Sequence, residues 1–487
     1  MAGSREVRIV GPSGQLADIR ASAQRSVNMY PSATESPGED KQFILRSCPG
    51  AVSAVNCTGE LRGLLSTPDG QELVYVDGSS VIKTNISSST TLTGSLSNST
   101  GPVQMAAGMS SKIVLVTGAK GYVVDTGADT VTEITDADFP DSTSQVCFLD
   151  GYWIVHNGTD QFSISAVDDP TSWDALDFSS ADRLPDSILA MKMQGNELYL
   201  FGTRSTEIWY NNGGADFPFG RYTQAPIDIG IAGAYAATTT TNSLAFIGRA
   251  SGGVPMVYML DGHTPKRIST RSVEEALYAL DPGPGLVSDL GDVRIWSYQA
   301  PGAEFIGIDL PAPDGAGLSS TFVYDVSSGL WHERRAYASG TTLGPLQSID
   351  VQILRGRPHM GLRFHDGTGY DWRIFELEEQ TYQWGGRGLY RERTFPHLVA
   401  PTFEPVRYNS LELMCEAGEG TALTINLDIS NDGGETFPIS LTRTTTTSDV
   451  MQRVRWFPLG QSRDRVFRVS CATNAPFNVH GAQVEAA

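Results

Sequence analysis

Short β-favouring runs separated by turn residues recur along most of this chain, and this pattern constrains its fold more than any other feature. Between residues 198 and 270 such runs cover 198–202, 206–210 and 242–248, with Gly, Asn, Asp and Pro between the runs. No helical period interrupts them. Regularly spaced runs of this kind are typical of small antiparallel sheets that repeat along a chain.

The spacing of the repeated units predicts a β-propeller. From about residue 59, units of three or four predicted strands return roughly every 35–45 residues. Asp77-Gly78, Asp150-Gly151 and Asn157-Gly158 lie at turns within these units. Such pairs favour hairpins because both residues can take the positive φ of a type I′ turn. We count about seven units, and since chain ends often complete one blade jointly, six and seven blades both fit the pattern.

The chain divides into three predicted regions and belongs to the all-β class. Residues 1–58 are predicted to be irregular because four prolines break up any regular element: Pro12, Pro31, Pro37 and Pro49. Residues 59–379 form the predicted propeller. The periodicity changes near residue 380, and several later runs alternate apolar with polar residues, as half-buried antiparallel strands do. We therefore predict a C-terminal antiparallel β-sandwich-like domain over 380–487.

The charge balance restricts the partners that suit this chain. Its 487 residues include 35 Lys and Arg against 55 Asp and Glu, for a formal net charge of -20. A protein that grips nucleic acid by neutralising phosphates needs the opposite balance. A negative wall repels a negative polymer, so this charge is compatible with double-stranded DNA that passes without tight binding.

Cysteine content and hydropathy bear on the compartment. The five cysteines are odd in number and form no CxxC pair, which argues against a disulfide framework or a zinc site. No apolar core of a signal peptide follows Met1, and no run approaches the roughly 18 apolar residues of a membrane span. We therefore expect cytoplasmic synthesis and no membrane span.

One short motif in the predicted sandwich fits the Asp-box spacing S-x-D-x-G-x-T-[W/F]. Its residues are Ser430, Asp432, Gly434, Thr436 and Phe437. In such a turn a carboxylate and hydroxyls satisfy backbone amides while the aromatic ring packs beneath the hairpin. The motif therefore predicts a structural turn and not a catalytic site.

No catalytic constellation can be assembled from the sequence. A sialidase-like enzyme needs several arginines that converge on a carboxylate, together with a Tyr–Glu nucleophile pair. The candidates are Arg204, Arg221, Arg249 and Arg267, with Glu207 and Tyr210. Nothing in the sequence brings them together, and the seven histidines show no metal-ligand spacing. We predict no catalytic residues, no cofactor and no metal site, and interpret Arg204, Glu207 and Arg221 as candidate subunit contacts.

Several motifs, in order, carry a resemblance to one family. Residues 25–31 read Arg-Ser-Val-Asn-Met-Tyr-Pro and residues 45–50 read Leu-Arg-Ser-Cys-Pro-Gly. They resemble the V-N-M…R-x-x-P-G opening of the packaged-DNA stabilisation proteins of short-tailed phages, also called tail hub or nozzle proteins. Further matching segments are 201–208, 230–233, 242–248, 254–261, 268–274, 431–433 and 453–460.

The resemblance implies a structural virion protein with no enzymatic activity. Such proteins assemble as a ring, commonly hexameric, below the portal and the tail adaptor, where the ring extends and closes the DNA channel and retains the packaged genome. The ring offers attachment surfaces to tail fibres, spikes or a needle. The implied location is the virion tail, after assembly in the host cytoplasm. The alternative from the residues alone is a carbohydrate-active or receptor-binding propeller of the sialidase type.

Overall fold

The fold was obtained as a computed structural model, which describes residues 3–14, 16, 18, 22–33, 43–250, 253–280, 289–310, 321–339, 342–365, 369–399, 404–417, 420–447 and 450–486. Strands dominate this part of the chain, which contains one α-helix, Arg271–Ala279, and one 3-10 helix, Asp289–Asp292. The all-β class predicted from the sequence is confirmed.

Seven antiparallel sheets, named here blades 1 to 7, surround a common axis in the described part of the chain. The innermost strand of each blade contacts the innermost strand of the next, and the innermost strand of blade 7 contacts that of blade 1. The circle is therefore closed. The predicted propeller is confirmed, and of the two blade numbers that the sequence allowed, the described residues form seven.

The first four blades are four-stranded meanders. Blade 1 contains Leu61–Ser66, Leu73–Asp77, Ser80–Thr84 and Ser89–Thr91. Blade 2 contains Gln104–Ala107, Lys112–Val116, Gly121–Asp125 and Thr130–Glu133. Blade 3 contains Gln145–Leu149, Tyr152–His156, Gln161–Ala166 and Asp169–Ser180. Blade 4 contains Ile188–Gln194, Glu197–Gly202, Thr206–Asn211 and Phe219–Arg221.

Blade 6 is also a four-stranded meander, whereas blades 5 and 7 depart from this plan. Blade 5 contains Gly230–Ile231, Ala237–Thr239, Leu244–Arg249, Met256–Asp261 and Thr264–Arg267. Blade 6 contains Arg294–Ala300, Ala303–Asp309, Thr321–Asp325 and Leu330–Arg334. Blade 7 contains Ser348–Leu354, Arg357–His365, Tyr370–Glu378 and, from the start of the chain, Gly50–Asn56. A two-stranded sheet, Ala336–Ser339 with Thr342–Gly344, follows blade 6.

Blade 7 is completed by the residues that precede blade 1. Gly50–Asn56 pairs antiparallel with Tyr370–Glu378 and forms the outer strand of the blade. Without it, the outer edge of the last unit would present unpaired backbone groups. The two ends of the propeller sequence therefore meet in blade 7, where backbone hydrogen bonds close the circle. The sequence pattern allowed for one blade that both ends complete jointly.

The C-terminal region forms a sandwich of two sheets. Sheet 1 contains Gly3–Val7, Met29–Ala33, Phe43–Ser47, Val406–Ala417, Met451–Trp456, Gln461–Ser462 and Phe477–Ala486. Sheet 2 contains Arg25–Val27, Gln383–Trp384, Arg387–Thr394, Leu398–Val399, Thr424–Ser430, Ile439–Thr444 and Asp464–Thr473. Their facing side chains form one apolar core around Leu411, Leu427 and Trp456. The predicted antiparallel sandwich is confirmed.

The N-terminal segment differs from the irregular region that the sequence predicted over 1–58. Five strands lie among its described residues, three in sheet 1, one in sheet 2 and one in blade 7. Pro31 lies inside the strand Met29–Ala33 and is tolerated because this strand is at the edge of sheet 1. The pairing partners of most of these strands lie more than 300 residues away, so a local pattern could not reveal them. The predicted bounds at 58 and 380 stay predictions.

One short strand joins the two domains. Arg25–Val27 pairs parallel with the outer strand of blade 6, where Val27 faces Glu333, and antiparallel with Arg387–Thr394 of the sandwich. A continuous sheet therefore runs from blade 6 into sheet 2. Such a sheet transmits force through backbone hydrogen bonds and leaves little freedom for the domains to rotate against each other.

A buried ion pair fixes this junction. Arg25 donates two hydrogen bonds to Glu333, Nε to Oε1 at 2.9 Å and Nη2 to Oε2, and the Glu333 side chain is only 3% exposed. Burial alone would lower the pKa of the Arg25 guanidinium, but the attraction of Glu333 raises it above its ordinary value. Asn28 adds hydrogen bonds from its Nδ2 to the carbonyl oxygens of Arg335 and Tyr390.

The apolar side of the junction contains a buried histidine. The His332 ring packs against Tyr30 of the sandwich and Phe305 of blade 6, with centroids 6.0 and 5.8 Å away. Burial, aided by the neighbouring Arg334 charge, lowers the pKa of His332 to about 3. The ring is therefore neutral in the folded protein at all ordinary pH values.

We predict that Glu333→Gln lowers the free energy of unfolding by about 3 kcal/mol, because it leaves Arg25 charged and without its countercharge in a buried place. Denaturation in guanidinium chloride measures the change. Asp261→Asn is the matched control, because Asp261 pairs with Lys266 at an exposed site and the loss should stay below about 1 kcal/mol. Equal effects of the two substitutions would contradict a special role for the junction pair.

We also predict that His332 makes the fold acid-sensitive. Its folded pKa lies below the unfolded value of about 6.5, so between these values the unfolded chain binds a proton that the folded chain does not. The stability is complete above pH 6.5 and falls by about 1.4 kcal/mol per pH unit as the pH drops towards 3. In the His332→Phe variant, the part of this pH-dependent loss of stability that comes from His332 should be absent. Urea denaturation at several pH values between 6 and 4 measures it. An unchanged slope would show that His332 is not the sensitive group.

Candidate functional site

Blade 4 carries the three residues predicted as subunit contacts. Arg204 lies in the turn between two strands of this blade, and the Asp186 carboxylate holds that turn. This carboxylate accepts hydrogen bonds from the backbone N–H groups of Thr203 at 2.8 Å, Arg204 at 2.7 Å and Ser205 at 3.0 Å. The Arg204 backbone is therefore fixed while its side chain is exposed. No sequence motif indicates Asp186, because the backbone N–H groups that it accepts from lie 17 to 19 residues further along the chain.

Glu207 lies inside the blade and not on its surface. The residue is 5% exposed. Its Oε1 accepts from the backbone N–H of Arg183 at 2.8 Å, and its Oε2 accepts from Trp209 Nε1 at 3.0 Å. Arg221 Nη1 lies 3.6 Å from Glu207 Oε1 and 2.8 Å from Asp182 Oδ1. Glu207 and Arg221 thus stabilise blade 4 from within.

The three candidate contact residues therefore differ in the exposure of their side chains and in the partners that these side chains already have. Arg204 offers an exposed guanidinium that, among the described residues, makes no hydrogen bond or ion pair. Arg221 is partly exposed but already has two carboxylate neighbours. Glu207 can affect a neighbouring subunit only through the position of Arg221. A contact role for these residues remains a prediction, strongest for Arg204.

Two of the four arginines considered for a sialidase-like site are paired with carboxylates of this chain. Arg267 is paired with Glu274 through Nε at 2.6 Å and Nη2 at 2.7 Å, and Arg221 is paired with Asp182. The absence of a catalytic site stays a prediction. Within the described ranges, no group of three His, Cys, Asp or Glu could hold a metal ion. No helix in those ranges is long and apolar enough to cross a membrane.

The Asp-box residues form a dense local hydrogen-bond network after the strand Thr424–Ser430. Ser430 Oγ donates to Asp432 Oδ1 at 2.5 Å and accepts from the Gly434 N–H at 2.8 Å. Asp432 also accepts from the Thr436 N–H at 3.0 Å and from Thr436 Oγ1 at 2.5 Å. Burial opposes the charge, but the hydrogen bonds from Ser430 and Thr436 prevail and lower the pKa of Asp432 to about 2.

The aromatic end of the motif packs against its own domain. The Arg468 guanidinium lies 4.1 Å from the centre of the Phe437 ring, and Arg468 also pairs with Asp428 at 3.0 Å. Such a stacked, ion-paired arginine holds the aromatic residue against the sheet. These contacts all lie within the sandwich, which is the arrangement that a structural turn requires.

We predict that Asp432→Ala destabilises the sandwich by about 1–2 kcal/mol, because three donors in the turn, Ser430 Oγ, the Thr436 N–H and Thr436 Oγ1, lose a charged acceptor. Because the folded pKa of Asp432 is lowered, this stabilisation is present above the unfolded pKa of about 3.9 and lost as pH falls through about 2. Limited proteolysis over 430–437 and thermal unfolding measure the loss. The exposed neighbour Asn431→Ala is the control and should change neither. An Asp432→Ala protein as resistant as Asn431→Ala would refute the turn role.

Two family models match this chain in sequence order. Residues 17–334 match the family described as "Bacteriophage P22 Gp10, beta-propeller", and residues 398–487 match "Bacteriophage P22 Gp10, beta-sandwich". The first match covers more than half of the chain. The order of the two matches is the order of the two domains in the structure.

Among solved structures, similar chains include one in the crystal structure of the mitotic checkpoint complex, with 10% identity and a TM-score of 0.41 over 71% of this chain and 98% of that one. The computationally designed Ika8 protein has 11% identity and a TM-score of 0.38 over 73% and 100%. YCF48 bound to D1 peptide has 11% identity and a TM-score of 0.40 over 68% and 98%. At these values the likeness supports no argument.

A curated relative is the protein named "Tail hub protein gp10" of Salmonella phage P22. It is 27% identical over 298 residues, which are 58% of this chain and 59% of the relative. The aligned region thus spans less than two thirds of the relative's length. Together with the propeller and the sandwich seen in the structure, the family matches show that this chain belongs to the family described as bacteriophage P22 Gp10.

Proposed function

We propose that this protein is a structural tail hub of a short-tailed bacteriophage. The observation that carries the proposal is the pair of family matches in domain order, together with the sequence similarity to the tail hub protein of phage P22. The protein acts by assembly and not by catalysis. In this role it forms a ring, hexameric as the family resemblance suggests, that extends the DNA channel below the head and retains the packaged genome.

The rigidity of the chain supports this role. A tail component must keep its shape while DNA moves past it, and the continuous sheet through Arg25–Val27 couples the propeller to the sandwich. Among the described strands, the outer strands of blades 1 to 5 end their sheets, whereas those of blades 6 and 7 pair further with strands of the sandwich. In a ring, copies of the chain would cover part of these edges.

The charge of the chain supports a channel through which DNA slides. Each copy has a formal net charge of -20, and a ring multiplies this charge around its axis. Like charge keeps the duplex away from the wall, so binding is weak at every position along the channel. Weak binding suits a component that must retain DNA by closure and then release it.

The proposed partners follow from the same position in the particle. The ring would contact the tail adaptor above, and tail fibres, spikes or a needle at its other surfaces. The proposed location is the virion tail, after assembly in the host cytoplasm. Mass photometry and negative-stain electron microscopy of the purified chain test the central point. Closed rings of one subunit number are expected, whereas a stable monomer that turns over glycans would favour the carbohydrate-active alternative.

We predict that Arg204→Ala raises the protein concentration needed for ring assembly roughly tenfold, because interface arginines often contribute much of the binding energy. Sedimentation velocity over a dilution series measures the shift. Arg357→Ala is the control, because its exposed guanidinium is already paired with Glu376 inside one subunit. Rings of equal stability in the Arg204 variant and in the unsubstituted protein would remove Arg204 from the interface.

A further inference from the structure

The propeller axis contains a cavity that the proposed function does not use. The inner cavity measures about 200 Å³ and is lined by residues of six innermost strands or their flanks, in blades 1, 2, 4, 5, 6 and 7. It adjoins a wider cavity of about 600 Å³ at the propeller face that carries Pro68 and Thr241. Four residues, Lys192, Thr238, Asp350 and Gln352, line both cavities, so the two are neighbours along the axis.

Two cationic side chains, Lys192 and Arg294, line the inner cavity and have N–H groups that make no hydrogen bond among the described residues. Lys192 lies on the innermost strand of blade 4 and is half-buried, and among the described residues its ammonium makes no hydrogen bond or ion pair. Arg294 begins the innermost strand of blade 6. Its guanidinium lies 4.5 Å from the centre of the Tyr235 ring and donates one long hydrogen bond, 3.4 Å, to the Ile349 carbonyl oxygen.

One carboxylate shares this cavity, and other groups satisfy it. Asp350 Oδ1 accepts from the Val351 N–H at 2.7 Å, and Oδ2 accepts from Gln352 Nε2 at 2.9 Å. Burial raises the pKa of the Asp350 carboxyl, and the positive charges of Lys192 and Arg294 oppose this shift. In a chain with a net charge of -20, the described lining of the inner cavity therefore has two cations against a single carboxylate.

We propose that the inner axial cavity binds one small oxyanion, a phosphate or a carboxylate, through Lys192 and Arg294. The planar guanidinium presents paired N–H groups that match such an anion, and the lysine ammonium supplies a point charge. A bound anion would give the half-buried Lys192 ammonium a charged acceptor, which it lacks among the described residues because both Asp350 oxygens accept from other groups. The cavity has room for a small ion with water and not for a nucleic acid strand. The site lies within one chain and does not depend on ring formation.

Isothermal titration calorimetry of the full chain with inorganic phosphate, at constant ionic strength set with sodium chloride, tests the proposal. One saturable site per chain is expected. Lys192→Gln should weaken phosphate binding at least about tenfold, because it removes a charged hydrogen-bond donor. The substitution breaks no hydrogen bond or ion pair of the described fold, and an unchanged melting temperature in phosphate-free buffer verifies that the variant folds.

Lys266→Gln is the matched control, since Lys266 is exposed on blade 5 and paired with Asp261. Its phosphate affinity should equal that of the unsubstituted chain. Arg294→Gln provides a second test and should weaken binding to a similar extent. Acetate in place of phosphate separates the two anion classes: competition supports a general oxyanion site, and no competition restricts the site to phosphate. Absence of saturable phosphate binding, or equal affinity in Lys192→Gln, overturns the proposal, and ring formation in the same samples is scored separately.

Discussion

The pairing of one three-residue strand with both domains is the constraint on which the rest of this structure depends. Arg25–Val27 completes sheet 2 and also extends blade 6, so its neighbours along the chain are drawn to the domain boundary. The next residues then supply strands to sheet 1 and the outer strand of blade 7. The buried pair of Arg25 and Glu333 fixes the register at this point. The N-terminal segment thus closes the propeller, completes the sandwich and couples the two domains.

Electrostatics acts differently at the surface and inside the blades. The chain has an excess of acidic residues, yet individual carboxylates such as Asp186 and Asp432 organise turns by accepting several hydrogen bonds. These groups are satisfied and contribute to stability, not to chemistry. The inner axial cavity has the reverse composition, because Lys192 and Arg294 line it with Asp350 as the single carboxylate among the described residues there. A chain with a formal net charge of -20 therefore contains, at the propeller axis, a small cavity whose described lining has more cations than carboxylates.

The fold was predictable wherever the signal was local. The predicted turn pairs lie between paired strands of the repeating sheets, but positive φ at both residues occurs only at Asp150-Gly151. At Asp77-Gly78 and Asn157-Gly158 only the glycine has positive φ. The Asp-box spacing anticipated the hydrogen bonds of the turn at Asp432, because all of its partners lie within six residues. Glu207 shows the limit of such reasoning. Its neighbours suggested a charged surface, but the partners that bury it, Arg183 and Arg221, come from other elements.

The sequence by itself determined the all-β class, the repeating unit of the propeller and the change to a sandwich, because side-chain alternation and turn chemistry act over a few residues. Only the tertiary structure decided that there are seven blades in the described chain, that the N-terminal strands complete both domains, and that Lys192 and Arg294 line one cavity. These outcomes depend on backbone pairing and packing between residues tens to hundreds of positions apart. No local pattern specifies which strand an edge strand will pair with. The closure of the propeller is therefore decided only when all of its blades are folded together.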